Sequence, residues 1–186
     1  MESMRIRPLL SLCGAALTAA MLTSCAGDPN STLRPADATA PLGGVSPLGT
    51  ADSGPKTQRP EAPGQLTVSD IRVGHHEGFE RVVFDFEGEG EPGWFIDYVS
   101  HAAHPVSGEG LNVKGQAFLL VNIDGVEEGK NTPNLSMSDE SANIPEILDA
   151  GITGSRHHFV IGLHKEAPYS VEVLEDPLRL VIDIRA

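Results

Sequence analysis

The sequence predicts an all-β domain, an antiparallel β-sandwich, over residues 65–186. Three observations carry that prediction. Apolar residues in this stretch recur mostly with period two, the spacing of strands with one buried face. Turn-forming residues, such as the GEGEPG run at 88–93, punctuate the alternating segments. The segments are short and number roughly seven or eight, as in a two-sheet architecture.

LTVSDIRV (66–73) opens the domain as a strand. FERVVFDFEG (79–88) follows, with Val82, Phe84 and Phe86 on one face and Arg81, Val83 and Asp85 on the other. WFIDYVS (94–100) is the next strand, and LNVKG (111–115) is a weaker edge candidate. AFLLVNI (117–123) is apolar on both faces, which predicts a central position in a sheet. RHHFVIGLH (156–164), YSVEVLE (169–175) and LRLVIDI (178–184) complete the set. One short helix is predicted in a connection. NIPEILDAG (143–151) places Pro145 near a first helical position and Gly151 where a C-terminal cap falls.

One pattern occurs twice. RVVFDF (81–86) and RLVIDI (179–184) both read Arg, aliphatic, Val, bulky apolar, Asp, bulky apolar. On paired antiparallel strands, Val82, Phe84, Phe86, Leu180, Ile182 and Ile184 point inward. Arg81, Asp85, Arg179 and Asp183 then share the outer face, each Arg opposite the other strand's Asp. A solvated ladder of that kind contributes about 0.2–1 kcal/mol per pair. Alternatively the same face, with Arg81 and Arg179 as donors, is a ligand surface.

The 64 residues ahead of the domain read differently. Arg5 and Arg7 precede an uncharged apolar run from Pro8 to Leu22, too short for a comfortable membrane span and suited to a secretory signal. Leu22, Thr23, Ser24 and Cys25 resemble the bacterial lipobox. That resemblance implies a lipoprotein signal peptide over 1–24, cleaved before Cys25, and acyl chains on Cys25 that anchor the chain in the lipid bilayer outside the cytoplasm. Residues 26–63 contain seven prolines and no aromatic residue. They are expected, with Cys25, to form a disordered tether over 25–64, roughly 35 Å in typical span and about 130 Å fully extended.

Cys13 lies in the segment to be removed, so Cys25 would be the sole cysteine of the mature chain. Stability must then come from a hydrophobic core rather than a disulfide. Removal of 1–24 takes Glu2, Arg5 and Arg7 with it and leaves 11 basic and 25 acidic residues, a formal charge of −14. Such a surface repels nucleic acid and anionic lipid headgroups, and leaves neutral glycans, cationic ligands and basic proteins as partners.

PYSVEVLEDPLRLVIDIR at the end of the chain resembles the close of an AMIN-like domain, in which an acidic-Pro-x-Arg turn leads to a final aliphatic-Asp strand. GFERVVFDFEG, GWFIDYVS and VKGQAFLLVNI resemble that family's earlier segments in the same order, so the likeness covers about residues 66–186. It occurs in lipoproteins of actinobacterial type. The resemblance implies a β-sandwich of two related sheets and localisation to the cell envelope through peptidoglycan binding. AMIN domains commonly localise amidases; no amidase domain is read in this sequence, so any such wall hydrolase would be a separate partner.

Catalytic and metal motifs are sparse. There is no G-x-S-x-G, H-E-x-x-H or P-loop, and the expectation is a non-enzymatic binding protein without a cofactor. Seven histidines invite a metal or haem reading, but neighbours in the His75–His76 and His157–His158 pairs face opposite sides of a regular strand. His158 and His164 share a face at about 20 Å, far beyond the ~2 Å ligand distances of zinc. Trp94 and Tyr98 share a face and are either core residues or stacking platforms for a sugar ring. The candidate ligand contacts are therefore Arg81, Trp94, Tyr98 and Arg179. Three binding readings stand: peptidoglycan, an acidic module docking on an envelope hydrolase, and histidine-based capture of metal or haem.

Overall fold

Period-two alternation becomes ten strands in the computed structural model, which describes residues 45–60, 64–127, 133–138 and 141–186. The signal segment and Leu22, Thr23, Ser24 and Cys25 lie outside the described residues. The strands are β1 (Lys56–Gln58), β2 (Gln65–His76), β3 (Phe79–Glu89), β4 (Gly93–Val99), β5 (Ala117–Asp124), β6 (Asn134–Met137), β7 (Glu146–Thr153), β8 (Arg156–Leu163), β9 (Tyr169–Leu174) and β10 (Arg179–Arg185). They form two five-stranded sheets, ordered β1-β4-β5-β8-β7 and β6-β2-β3-β10-β9. Every pairing is antiparallel except β2 with β6. The sheets stack as the expected sandwich.

Inward residues of both sheets make one core. Val82, Phe84, Leu180 and Ile182 from one sheet meet Ile96, Leu119, Val121, Phe159 and Ile161 from the other, all without measurable exposure. Phe84 and Phe159 pack ring against ring at 5.1 Å. A chain of this size depends on such burial, at about 1.5–3 kcal/mol per large apolar side chain.

β5 lies in the middle of its sheet, as its two apolar faces predict. Its outer face is covered by the long β4–β5 connection. Ala102, Leu111 and Val113 from that connection pack on Phe118, Leu120, Leu148 and Val160. This explains why LNVKG is not a strand: Leu111 and Val113 serve as a lid on the sheet instead of pairing at its edge. The lid crosses so closely that a Cβ at Gly162 would lie 1.9 Å from the Lys114 carbonyl oxygen. Only glycine fits at that point of β8.

Two expectations are corrected. Residues 143–151 contain no helix, and among the described residues no helix forms. Pro145 instead precedes the edge strand β7, a position where its missing N–H costs nothing. Gly151, at φ 87°, forms a β-bulge opposite His158, and its N–H donates to Asp149 Oδ1 at 2.8 Å. Ile147 is 5% exposed and belongs to the core, so burial of a period-two face outweighs the capping signals.

The expected tether also ends sooner than residue 64. Residues 45–60 run along the sandwich as a strap joining its two sheets. Asp52 exchanges two backbone hydrogen bonds with Tyr169 of β9, and β1 pairs with β4. The Tyr169 hydroxyl lies 2.9 Å from the Gly54 carbonyl and 2.8 Å from that of Ile96, one on the strap and one on β4. Proline and small residues here do not signal disorder, because the strap borrows its hydrogen-bond partners and its apolar cover from the sheets.

Candidate functional site

The twin hexamers pair as their pattern requires. β3 and β10 are adjacent and antiparallel, with Asp183 opposite Arg81 and Arg179 opposite Asp85. Their environments differ. Arg81 Nε and Nη2 donate to Asp183 Oδ1 and Oδ2 at 2.7 and 2.8 Å, a bidentate pair. The strap lies over this pair: Leu48 N–H donates to Asp183 Oδ2 at 2.6 Å, and Arg81 Nη2 donates to the Ser46 carbonyl. The Asp183 side chain has no exposure and Arg81 only 16%. This outer face is therefore correctly placed by parity, but it is not solvated there.

At the other end of the same strands, Asp85 turns to β2. Arg72 Nε and Nη2 donate to its carboxylate at 2.8 and 2.9 Å. Asp70 stands directly opposite Asp85, and Arg72 Nε is 3.6 Å from Asp70 as well. One guanidinium thus relieves two facing carboxylates. Arg179 is left to donate its Nε to the Pro177 carbonyl.

The four candidate ligand contacts do not share a surface. Arg81 is committed to Asp183, and Arg179 is half-buried beside Pro177. Trp94 is 6% exposed and belongs to the core of the opposite sheet. Tyr98 packs against that core and meets Tyr169 edge to face at 5.7 Å. Its hydroxyl donates to the Ala167 carbonyl and accepts from the Ala167 N–H. Burial raises the Tyr98 phenol above its ordinary pKa; the Ala167 backbone hydrogen bond offsets part of that rise and the Glu166 charge adds to it. Phe95 holds the outward position on β4, at 38% exposure.

The histidines are mostly occupied. His157 Nε2 lies 2.8 Å from Asp149 Oδ1, and His158 Nδ1 lies 2.6 Å from Asn122 Oδ1. Among the described residues, no three metal-ligating side chains converge. Burial, reinforced by the Arg156 and His157 charges, pushes the His158 pKa below its ordinary 6.5. A histidine held neutral by the fold contributes stability above the unfolded pKa and loses it as pH falls. Stability is therefore expected to drop between pH 7 and pH 5, and His158→Gln is expected to flatten that slope in urea titrations at several pH values. Burial raises the Asp149 carboxyl, but hydrogen bonds from His157 and Gly151 outweigh it and hold it below 3.8. Its contribution disappears only in stronger acid, so the two windows separate.

The chemistry that does converge lies at one end of the sandwich. The end of β2, the start of β3, the 141–143 turn, the residues after β8 and the end of β10 enclose a pocket of about 430 Å³. Phe79 and Ile184 form its apolar base. Glu80 lines it with a carboxylate whose side chain is 5% exposed. Oε1 accepts from Ser141 Oγ at 2.7 Å and from the Ala142 N–H at 2.6 Å, while Oε2 accepts from the Asn143 N–H at 2.9 Å. Asn143 is tied in turn to Lys165, donating from Nδ2 to its carbonyl and accepting its N–H at Oδ1. His75, His164, Lys165 and Arg185 also line the pocket, and His75 Nδ1 lies 3.9 Å from Glu80 Oε1. Sequence reading passed over Glu80, although its parity with Val82 and Phe84 marks a charge on an inward register.

The AMIN-like domain family matches residues 66–186. The chain belongs to the AMIN-like domain family. It matches no curated protein and no solved structure at a significant level. The family match begins at residue 66, the second residue of β2, so the strap and β1 lie outside the matched residues although they pair with this AMIN-like sandwich.

Proposed function

We propose that this protein is a non-enzymatic cell-envelope lipoprotein that docks on peptidoglycan through its AMIN-like domain. Membership of the family over 66–186 carries the reading, because the resemblance to AMIN domains implies wall localisation. The lipobox-like Leu22, Thr23, Ser24 and Cys25 supply the anchor, with acyl chains on Cys25 in the membrane.

The test is sedimentation of the full chain, held in detergent, with purified sacculi. Co-sedimentation at low and moderate salt is the expected result, and its absence at both removes direct wall docking. A second reading follows from the acidic surface: a basic envelope hydrolase as the direct partner. Salt-sensitive co-purification with such a hydrolase, without sacculus binding, would select it.

A further inference from the structure

We infer that the pocket at the end of the sandwich is a binding site for a free α-amino-acid head group, an ammonium and a carboxylate on one carbon. The inference takes from the wall-docking reading only the source of the ligand, not the chemistry of the pocket.

Three features carry it. First, the pocket holds both signs of charge against an apolar base. Glu80 supplies a buried carboxylate, Lys165 and His164 lie on the wall, and Phe79 and Ile184 form the base. A lone anion would face Glu80, and a lone cation would face Lys165 and Arg185. A ligand carrying both charges meets a partner for each, without leaving either protein charge uncompensated as water is displaced.

Second, Glu80 is preorganised. Three donors from residues 141–143 fix its carboxylate, two on Oε1 and one on Oε2. A carboxylate oxygen offers about two acceptor directions, so Oε2 retains one for an ammonium. Third, the cation is uncommitted. Among the described residues the Lys165 ammonium has no hydrogen-bond or ion-pair partner, while its backbone is held on both sides by Asn143. The volume, about 430 Å³, lies within the range of small-molecule sites and leaves room for a side chain behind the head group.

Two sources present this chemistry: a free amino acid, and a wall stem peptide whose diamino acid keeps one head group free. The experiment separates them. Alanine, N-acetylalanine and alanine amide are titrated into the isotope-labelled full chain in detergent, and the backbone amides are followed by NMR. Alanine is expected to shift Ala142, Asn143 and Lys165, with each blocked analogue at least about tenfold weaker. Lys165→Ala should weaken alanine about tenfold and leave alanine amide unchanged. Glu80→Gln removes acceptors the 141–143 turn needs, so Lys165→Ala, on an exposed residue, is the decisive variant.

Alanine that displaces the chain from sacculi identifies the wall peptide as the source. Alanine that binds without displacing it identifies a free amino acid. Absence of alanine-induced shifts up to about 10 mM, or equal binding of all three probes, overturns the proposal. Sacculus sedimentation that persists in that case leaves wall docking intact and removes only this pocket.

Discussion

A chain beginning at residue 65 is expected to be about 2–4 kcal/mol less stable than one beginning at residue 45, read as a lower urea midpoint. The first corresponds closely to the family match and by sequence looks like the whole domain. The structure assigns residues 45–58 several of the sandwich's own contacts. Leu48 N–H caps Asp183, and the Leu48 carbonyl accepts from Ser170 Oγ and from Arg185. Asp52 pairs with Tyr169, and β1 covers the edge of β4. Lys56 sits 4.8 Å above the Tyr169 ring and 2.9 Å from Asp52. Removing the strap forfeits these bonds and uncovers the Asp183 side chain, now without exposure. The entropy of freeing the strap offsets part of the loss. Equal midpoints for the two chains would mean that the strap merely rests on the sandwich.

Asp183→Ala and Asp85→Ala are expected to diverge, although the two aspartates occupy the same place in twin hexamers. Asp183→Ala should cost about 3–5 kcal/mol, because it leaves Arg81 and the Leu48 N–H without their acceptor in a covered site. Asp85→Ala should stay within about 1 kcal/mol. Its partner Arg72 is 48% exposed, and the substitution also removes a carboxylate facing Asp70. Urea unfolding of the two variants against the parent decides the matter, and similar losses would contradict the assignment of buried and exposed pairs.

The hexamers show how far the sequence is legible. Strand parity identifies Val82, Phe84, Leu180 and Ile182 as core and places each Arg opposite the other strand's Asp, because alternation is a local property of an extended chain. Parity cannot tell which part of an outer face another segment covers. Asp183 is buried by residues over 130 positions away in the chain, and only the assembled fold brings them there. Similarly, the Pro145 and Gly151 punctuation is visible, but its meaning depends on whether Ile147 faces a core from a helix or from a strand. Parity pairs Trp94 and Tyr98 on one face without saying whether that face is core or ligand surface. Glu80 is the reverse case. Its inward register is plain in FERVVF, yet the donors that make it tolerable come from residues 141–143.

Native-state hydrogen exchange at the Leu48 amide tests the integration of the strap most directly. This N–H donates to Asp183 in a site closed over the Arg81 pair. It should exchange slowly, with protection falling in Asp183→Ala and approaching that of strand amides such as Ile182 in the parent. Exchange at the rate of an unstructured chain would contradict the account and return residues 45–60 to the tether.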